Sequence, residues 1–320
     1  MGTALPGRVY SDDLDRKLAL PVGTIKKRGG IEYRHFAGEE IQSELGARAA
    51  RVALLAAGLA LDDIDCVVAA SGVPEQAIPA TSVLIARELG LESGAVGCFD
   101  VNATCLSFVV ALDTLSALLA VGRYKRVLLV SADLPSKGLD WGHLESAAIF
   151  GDGAVAVVLE HDPSSGSAVL GAQLETYPQG WRTCQITGGG SRCNPQEDGD
   201  VRAADFKFQM DGKAVFKLAS RVVPGALERF WAKTGLTMAD IDVVVPHQAS
   251  QLGLHHMRKL LDIPESRIVD IFAHHGNQVS ASIPTALYEA VQTGRLQRGQ
   301  TALLIGTGAG LSVGILALRY

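Results

Sequence analysis

The sequence has no excess of positive charge: 29 Lys and Arg stand against 34 Asp and Glu, for a net charge of -5. No overall basic field exists to hold a nucleic acid or an anionic membrane, and a small substrate or a protein partner fits better. Cysteines are few, five in 320 residues, an odd number without CxxC spacing. That excludes a disulfide framework and a zinc site, and it suits a reducing cytoplasm. No apolar h-region follows the start, where MGTALPGRVYSDDLDRK carries acidic residues, so no signal peptide is read there. An unbroken membrane-spanning run is also missing. Thr301 to Leu318 comes nearest, but Gly306, Gly308, Gly310 and Gly314 divide it into two short runs that read as strand, turn, strand.

What is present is a chain 48% hydrophobic, ample for a large core. Short Val/Ile/Leu/Ala runs alternate with helical patterns, which predicts an α/β protein with parallel strands covered on both faces. The strand-like runs are Cys66–Ala70, Val127–Ser131, Ala154–Leu159, Val243–Val245, Ala302–Ile305 and Val313–Leu318. Helical periodicity marks Glu44–Leu59, Leu106–Val121, Lys213–Lys233 and Ser282–Thr293. An internal echo divides the chain: Gly58-Leu59-Ala60-Leu61-Asp62-Asp63-Ile64-Asp65 recurs as Gly235-Leu236-Thr237-Met238-Ala239-Asp240-Ile241-Asp242. Each copy leads into a valine-rich strand, and Val121-Gly122-Arg123-Tyr124 likewise matches Thr293-Gly294-Arg295-Leu296. The simplest account is two similar halves, 1–165 and 166–320, joined near Glu160 to Gly171, with a catalytic crevice between them.

Cys105 ends the run Phe99-Asp100-Val101-Asn102-Ala103-Thr104-Cys105 and opens an apolar helix whose only charge is Asp113. Unpaired N–H groups and the helix dipole at that position favour a thiolate, which is how a nucleophilic cysteine is prepared. A small buried hydrophobe is the plainer reading of the same residue. His247 lies just past a buried strand, where open α/β sheets present ligand-binding residues, although a structural histidine is the commoner case. His274-His275-Gly276-Asn277-Gln278 gathers polar groups beside a glycine, just before the helix from Ser282. The adjacent pairs His255/His256 and His274/His275 point in different directions, and no His/Glu pair sits one helical turn apart, so no metal site is expected. Gly306-Thr307-Gly308-Ala309-Gly310 precedes a strand, unlike a dinucleotide fingerprint, and its glycines suit close backbone approach to a reacting atom. Gly188-Gly189-Gly190-Ser191-Arg192 reads as a surface loop.

Taken in order, Phe99–Cys105, Phe150-Gly151-Asp152-Gly153-Ala154, Met210–Lys217, Val245-Pro246-His247-Gln248-Ala249, His275-Gly276-Asn277 with Ser282-Ile283-Pro284, and Gly308–Ser312 resemble the motifs of β-ketoacyl-acyl-carrier-protein synthase III. The resemblance runs over nearly the whole chain. It implies a thiolase-like fold, two duplicated βαβαβαββ halves in five αβαβα layers, usually as a homodimer. It implies that Cys105 takes an acyl group from an acyl thioester, on acyl carrier protein or coenzyme A. His247 and Asn277 would then stabilise the enolate formed as malonyl-acyl-carrier-protein loses carbon dioxide, and no cofactor is needed. The backbone N–H groups of Cys105 and Ala309 would form the oxyanion hole.

The chain departs from the family pattern where substrate is held. Thr24 and Leu144 stand where coenzyme-A-using members sandwich adenine between tryptophan and arginine, and only Arg28 of the nucleotide-contacting set is retained. Ile78 matches the phenylalanine at the bottom of the acyl pocket. Ser250-Gln251-Leu252 replaces Asn-Leu-Arg after the histidine motif, removing one basic contact for carrier protein, while Lys217 and Lys259 remain. Only Met1 to Ala4 precede Leu5-Pro6, where the family has a complete first strand. A condensing enzyme of a fatty-acid or specialised acyl pathway is therefore expected. Two alternatives stand beside it, a cysteine acyltransferase with a non-malonyl acceptor and an idle partner subunit of a heterodimer.

Overall fold

In the computed structural model, which describes residues 1–92, 94, 96–193 and 202–320, the apolar runs form two sheets. The first holds β1 (Gly2–Ala4), β2 (Cys66–Ala69), β3 (Gly97–Asp100), β4 (Arg126–Asp133) and β5 (Gly153–Glu160), side by side as β1-β5-β4-β2-β3. The second holds β6 (Ala168–Thr176), β7 (Val243–Pro246), β8 (Thr301–Gly308) and β9 (Ser312–Arg319), in the order β7-β8-β9-β6. A parallel bridge from Val244 to Ile268 stands where the second sheet would have its counterpart of β3.

The sheets are mixed: the expected parallel strands are there, and a closing strand runs against them in each half, as the strand, turn, strand reading of Thr301 to Leu318 requires. β2 runs parallel to β3 and β4, and β7 parallel to β8, but β5 and β9 return antiparallel to their neighbours. The reason is local: β8 and β9 are joined by three residues, whereas a parallel return needs a crossover of a dozen or more.

Period-2 geometry explains why the strands are apolar throughout. Cys66 and Val68 on β2, Val127 and Leu129 on β4, and Ala302 and Leu304 on β8 face one core, while Val67, Leu128 and Leu303 face others. The shared middle core contains α3 (Ser107–Ala120) and α6 (Ser282–Gln292), both packed between the sheets. α3 buries one broad apolar face with Phe108, Val109, Leu112, Leu115 and Leu119, while Asp113, Thr114 and Ala117 stay exposed on the other. On the outer faces lie α1 (Gln42–Ala57) and α2 (Thr81–Leu89) over the first sheet, and α4 (Gly212–Thr234) and α5 (Gln251–Leu260) over the second. This is the five-layered thiolase-like arrangement.

The repeated sequence does the same work in both halves. Gly58 and Gly235 end α1 and α4 with φ of 66° and 73°, a left-handed conformation that suits glycine. Asp63 accepts the Ala60 N–H at 2.9 Å and Asp240 accepts that of Thr237 at 2.8 Å, capping matching one-turn helices. Asp65 accepts the Arg126 N–H at the start of β4 and Asp242 the Thr301 N–H at the start of β8, each at 2.8 Å.

Leu115→Ala, at a fully buried site in the middle layer, should cost on the order of 2–5 kcal/mol, read as a lower denaturation midpoint. Leu55→Ala, at a side chain 82% exposed, should change stability by no more than about 0.5 kcal/mol in the same measurement.

Candidate active site

Cys105 sits in the one-turn helix Thr104–Leu106 that leads directly into α3. The turn is reached through Thr104 at φ 55°, the left-handed region that a β-branched residue enters only where its surroundings enforce it. The enforcing contacts are visible. The Thr104 N–H donates to Asn102 Oδ1 at 3.0 Å, and the Ala103 N–H donates to Ser107 Oγ at 2.9 Å. Gly308, at the end of β8, lies against the turn, and a Cβ there would come within 2.6 Å of Thr104 Oγ1.

His247 follows β7, and its N–H donates to the Ile305 carbonyl of β8 at 2.8 Å. Its side chain passes over Gly306, whose missing Cβ leaves it room: an added one would be 2.6 Å from His247 Cβ and 3.5 Å from Leu106. Asn277 is held by the Phe150-Gly151-Asp152-Gly153 segment of the other half. Its N–H donates to the Ile149 carbonyl at 2.7 Å, and its carbonyl accepts from the Gly151 N–H at 3.1 Å. A Cβ on Gly151 would collide with the His275 carbonyl, so this glycine is what lets the two backbones pair. The Asn277 amide is oriented on both sides. Oδ1 accepts the Val279 N–H at 2.9 Å, and Nδ2 lies 3.5 Å from the Ala249 carbonyl beside His247. The turn Val279–Ala281 then packs against the turn that carries Cys105. Three segments distant in sequence thus meet at the buried N-termini of α3 and α6.

The electrostatics reverse one expectation. Burial, with the Asp133 carboxyl nearby, pushes the Cys105 thiol up to about 12, whereas the N–H groups of Cys105 and Ala309 beside the sulfur pull the other way. The cysteine therefore rests as a thiol and not as the thiolate that helix position alone suggests, because desolvation outweighs the N-terminal dipole. His247 is lowered to about 4 by burial, so its imidazole is neutral at physiological pH and offers an N–H donor without charge. Cys66 and Cys184 are each raised by burial to about 11, and Cys184 lies close enough to Cys105 to raise it further.

The remaining sequence-derived positions divide. Ala309 lies in the β8–β9 turn, at the sulfur. Arg28, Lys217 and Lys259 are exposed on three adjoining elements. Gly30, closing the helix Thr24–Gly29, abuts Gln251 at the start of α5, and His256 of α5 lies 3.0 Å from the Ser220 hydroxyl of α4. Ile78 does not line a pocket of its own chain: it is 84% exposed, on the loop preceding α2. Sequence reasoning missed Asp133, which ends β4 fully buried and accepts from Gly72, Val73 and Ser280. Burial pushes its carboxyl up to about 7, against those donors. A lone acid closing the apolar run of β4, at the strand end where α/β proteins collect functional groups, was the available signal.

Residues 99–178 match the family model of 3-oxoacyl-[acyl-carrier-protein] synthase III, and residues 231–320 match the model of its C-terminal part. The chain is 38% identical to β-ketoacyl-[acyl-carrier-protein] synthase III of Allorhizobium ampelinum, over 100% of this chain and 98% of that protein. It is 37% identical to the Brucella melitensis protein of the same name, with the same coverage. Among solved structures, 3-oxoacyl-(acyl carrier protein) synthase III of Pseudomonas aeruginosa superposes with a TM-score of 0.87 at 35% identity, over 100% of this chain and 96% of that one. The Aquifex aeolicus synthase III superposes at 0.88 and 28%, covering 100% and 98%. With full-length relatives at this identity and the thiolase fold in place, the chain belongs to the β-ketoacyl-[acyl-carrier-protein] synthase III family, acyl-transferring condensing enzymes of fatty-acid biosynthesis.

Proposed function

We propose that Cys105 is the acyl-accepting nucleophile and that His247 and Asn277 serve the condensation step. The observation that carries this reading is the convergence of the Cys105 turn, His247 and the oriented Asn277 amide between the two sheets, with two backbone N–H groups beside the sulfur. In the first half-reaction Cys105 Sγ attacks the carbonyl of an acyl thioester. The negative oxygen of the tetrahedral intermediate accepts from the Cys105 and Ala309 N–H groups, and the departing thiol leaves with the cysteine proton. In the second, the carbonyl of a malonyl thioester accepts from His247 and Asn277. Its carbon–carboxylate bond breaks, carbon dioxide leaves, and the electron pair is held as an enolate. The enolate carbon attacks the acyl-Cys105 carbonyl, the carbon–sulfur bond breaks, and a β-ketoacyl thioester departs as Cys105 regains a proton. A dry site with neutral donors suits this chemistry, which needs oriented hydrogen bonds and no strong base.

We take acyl-acyl-carrier-protein or acyl-coenzyme A as donor, malonyl-acyl-carrier-protein as the second substrate, and the cytoplasm as the compartment. Among the described residues no helix is long and apolar enough to cross a membrane. The retained pair His247 and Asn277 argues against a non-malonyl acceptor or an idle subunit, neither of which uses both. A homodimer is supported by β3, whose outer edge pairs with no strand among the described residues. Asp100 at the end of β3 accepts the Thr81 and Ser82 N–H groups at 2.8 and 2.9 Å, which holds the loop bearing exposed Ile78 beside that edge. Strand pairing between two copies there would cover Ile78, and an acyl-pocket role for it would then be played in the partner. The halves 1–165 and 166–320 meet between the end of β5 at Glu160 and the start of β6 at Ala168, and the shared middle layer makes them one folding body.

Incubation with a short acyl thioester should add one acyl mass, at Cys105 alone, and Cys105→Ala should add none. Acylation of Cys184 or Cys193 instead would remove Cys105 from its role. Because the thiol is held high, the rate of Cys105 alkylation by iodoacetamide should still climb about tenfold per pH unit through pH 9, and a plateau near pH 7 would reveal a resting thiolate. His247→Ala and Asn277→Ala should still acylate Cys105 but lose malonyl decarboxylation, by on the order of a hundredfold each, as for removal of one oriented donor. Loss of acylation with decarboxylation intact would reverse the assignment.

An acyl group on carrier protein should be the better donor. Thr24 and Leu144 offer no ring or guanidinium to adenine, a stacking contact worth about 1–3 kcal/mol by analogy with nucleic-acid bases, whereas Arg28, Lys217 and Lys259 can meet an acidic carrier. Competing kcat/KM measurements should favour the carrier-bound donor by about tenfold or more at low salt and less at high salt. Equal values at moderate salt would count against this view.

A further inference from the structure

The two central helices begin alike. Thr104 and Val279 both take left-handed φ, 55° and 53°, at a residue type that avoids that region. Each N–H donates to the asparagine two residues earlier, Thr104 to Asn102 at 3.0 Å and Val279 to Asn277 at 2.9 Å. Each preceding residue donates to a serine at the helix start, Ala103 to Ser107 and Gln278 to Ser282, both at 2.9 Å. In this correspondence Ser280 stands where Cys105 stands in the first half.

The turns differ in what holds them. The Cys105 turn lies against Gly308, the last residue of β8, which leaves its surroundings uncharged on that side. The Ser280 turn lies against the last residue of β4, which is Asp133. Its Oδ2 accepts from both the Ser280 N–H, at 3.1 Å, and the Ser280 hydroxyl. The carboxylate is itself clamped: the Gly72 N–H donates to Oδ1 at 3.0 Å, and the Val73 N–H to the same oxygen at 3.2 Å. Val279 packs so closely on Gly72 that a Cβ there would collide with its Cγ1. A strained turn persists only when its neighbours determine it, and here the determinant is one fully buried acid from the opposite half.

We propose that Asp133 is a positioning residue for the condensation step: by gripping Ser280 it holds the left-handed turn at Val279, whose N–H in turn fixes which way the Asn277 amide faces. This rests on the role of Asn277 given above. Asp133 touches no substrate. Its hydrogen bonds to Ser280 act on the turn that orients Asn277; on Cys105 it acts through its nearby carboxyl, which lifts the thiol, and Ser280→Ala leaves that carboxyl in place.

The test measures both half-reactions in the full-length protein, acyl mass at Cys105 and carbon dioxide released from malonyl-acyl-carrier-protein, for Asp133→Asn, Ser280→Ala, their double variant and Asn277→Ala. Asp133→Asn and Ser280→Ala should each lower decarboxylation about tenfold or more, since misplacement by about 1 Å can cost about a hundredfold, while acylation falls by no more than about threefold and in Asp133→Asn can rise, as the carboxyl that lifts the thiol is gone. The double variant should be no worse than Asp133→Asn, because both changes break one linkage. Ser280→Ala removes a single oxygen and carries the test if Asp133→Asn does not fold. Acylation and decarboxylation falling together, in step with the melting temperature, would reduce Asp133 to a structural role and overturn the proposal. So would unchanged decarboxylation in both variants while Asn277→Ala loses it. Decarboxylation surviving in Asn277→Ala would instead overturn the reading of Asn277, and with it this one.

Discussion

Two helices start between the two sheets, and the free N–H groups at their ends are met by the protein's own side chains. Everything near the site answers that constraint. Ser107 and Ser282 accept the N–H groups of Ala103 and Gln278, and Asn102 and Asn277 accept those of Thr104 and Val279. The chain can reach those partners only by turning through left-handed φ at Thr104 and Val279, and such turns need room. Gly72 and Gly308 supply it against Val279 and Thr104, and Gly306 and Gly151 likewise leave room for His247 and the His275 carbonyl. The glycine motifs are thus the spatial requirement of burying two helix ends against each other.

The same burial sets the chemistry. In a desolvated interior the cysteine is held as a thiol and the histidine as a neutral imidazole, so reactivity comes from donor placement and not from standing charge. Backbone N–H groups lie beside the sulfur, and the Asn277 amide is held beside the His247 segment. An acid, Asp133, stands on the side of the duplicated turn that bears serine instead of cysteine, its own carboxyl pushed up by burial to about 7. The two halves hold equivalent helix starts, one bearing Cys105 after its left-handed turn and the other Ser280, with Asn277 before it.

The alternation of apolar runs and helical periods was legible along the chain, as were the duplication and the cluster of polar residues around His247 and Asn277. The repeated Gly58 and Gly235, Asp63 and Asp240, and Asp65 and Asp242 could be matched by eye because helix ends, caps and strand starts are local events, encoded within a few residues. Strand direction was legible at β9, where the short glycine turn leaves no room for a crossover, whereas hydrophobicity alone records burial and not which way a strand returns. The ionisation of Cys105 was misjudged: the helix dipole is visible in sequence, but the desolvation that opposes it depends on what other segments cover.

The sequence by itself determined the elements, their pairing into two similar halves and the residue types capable of acyl chemistry, because each is written in periodicity, caps and short motifs. Only the tertiary structure decided that Asp133 of one half grips Ser280 of the other, that Gly151 and Gly306 are the floors on which Asn277 and His247 rest, and that Ile78 faces outward. Those relations join residues far apart in the chain. Close packing between two sheets sets them, and no local pattern records it.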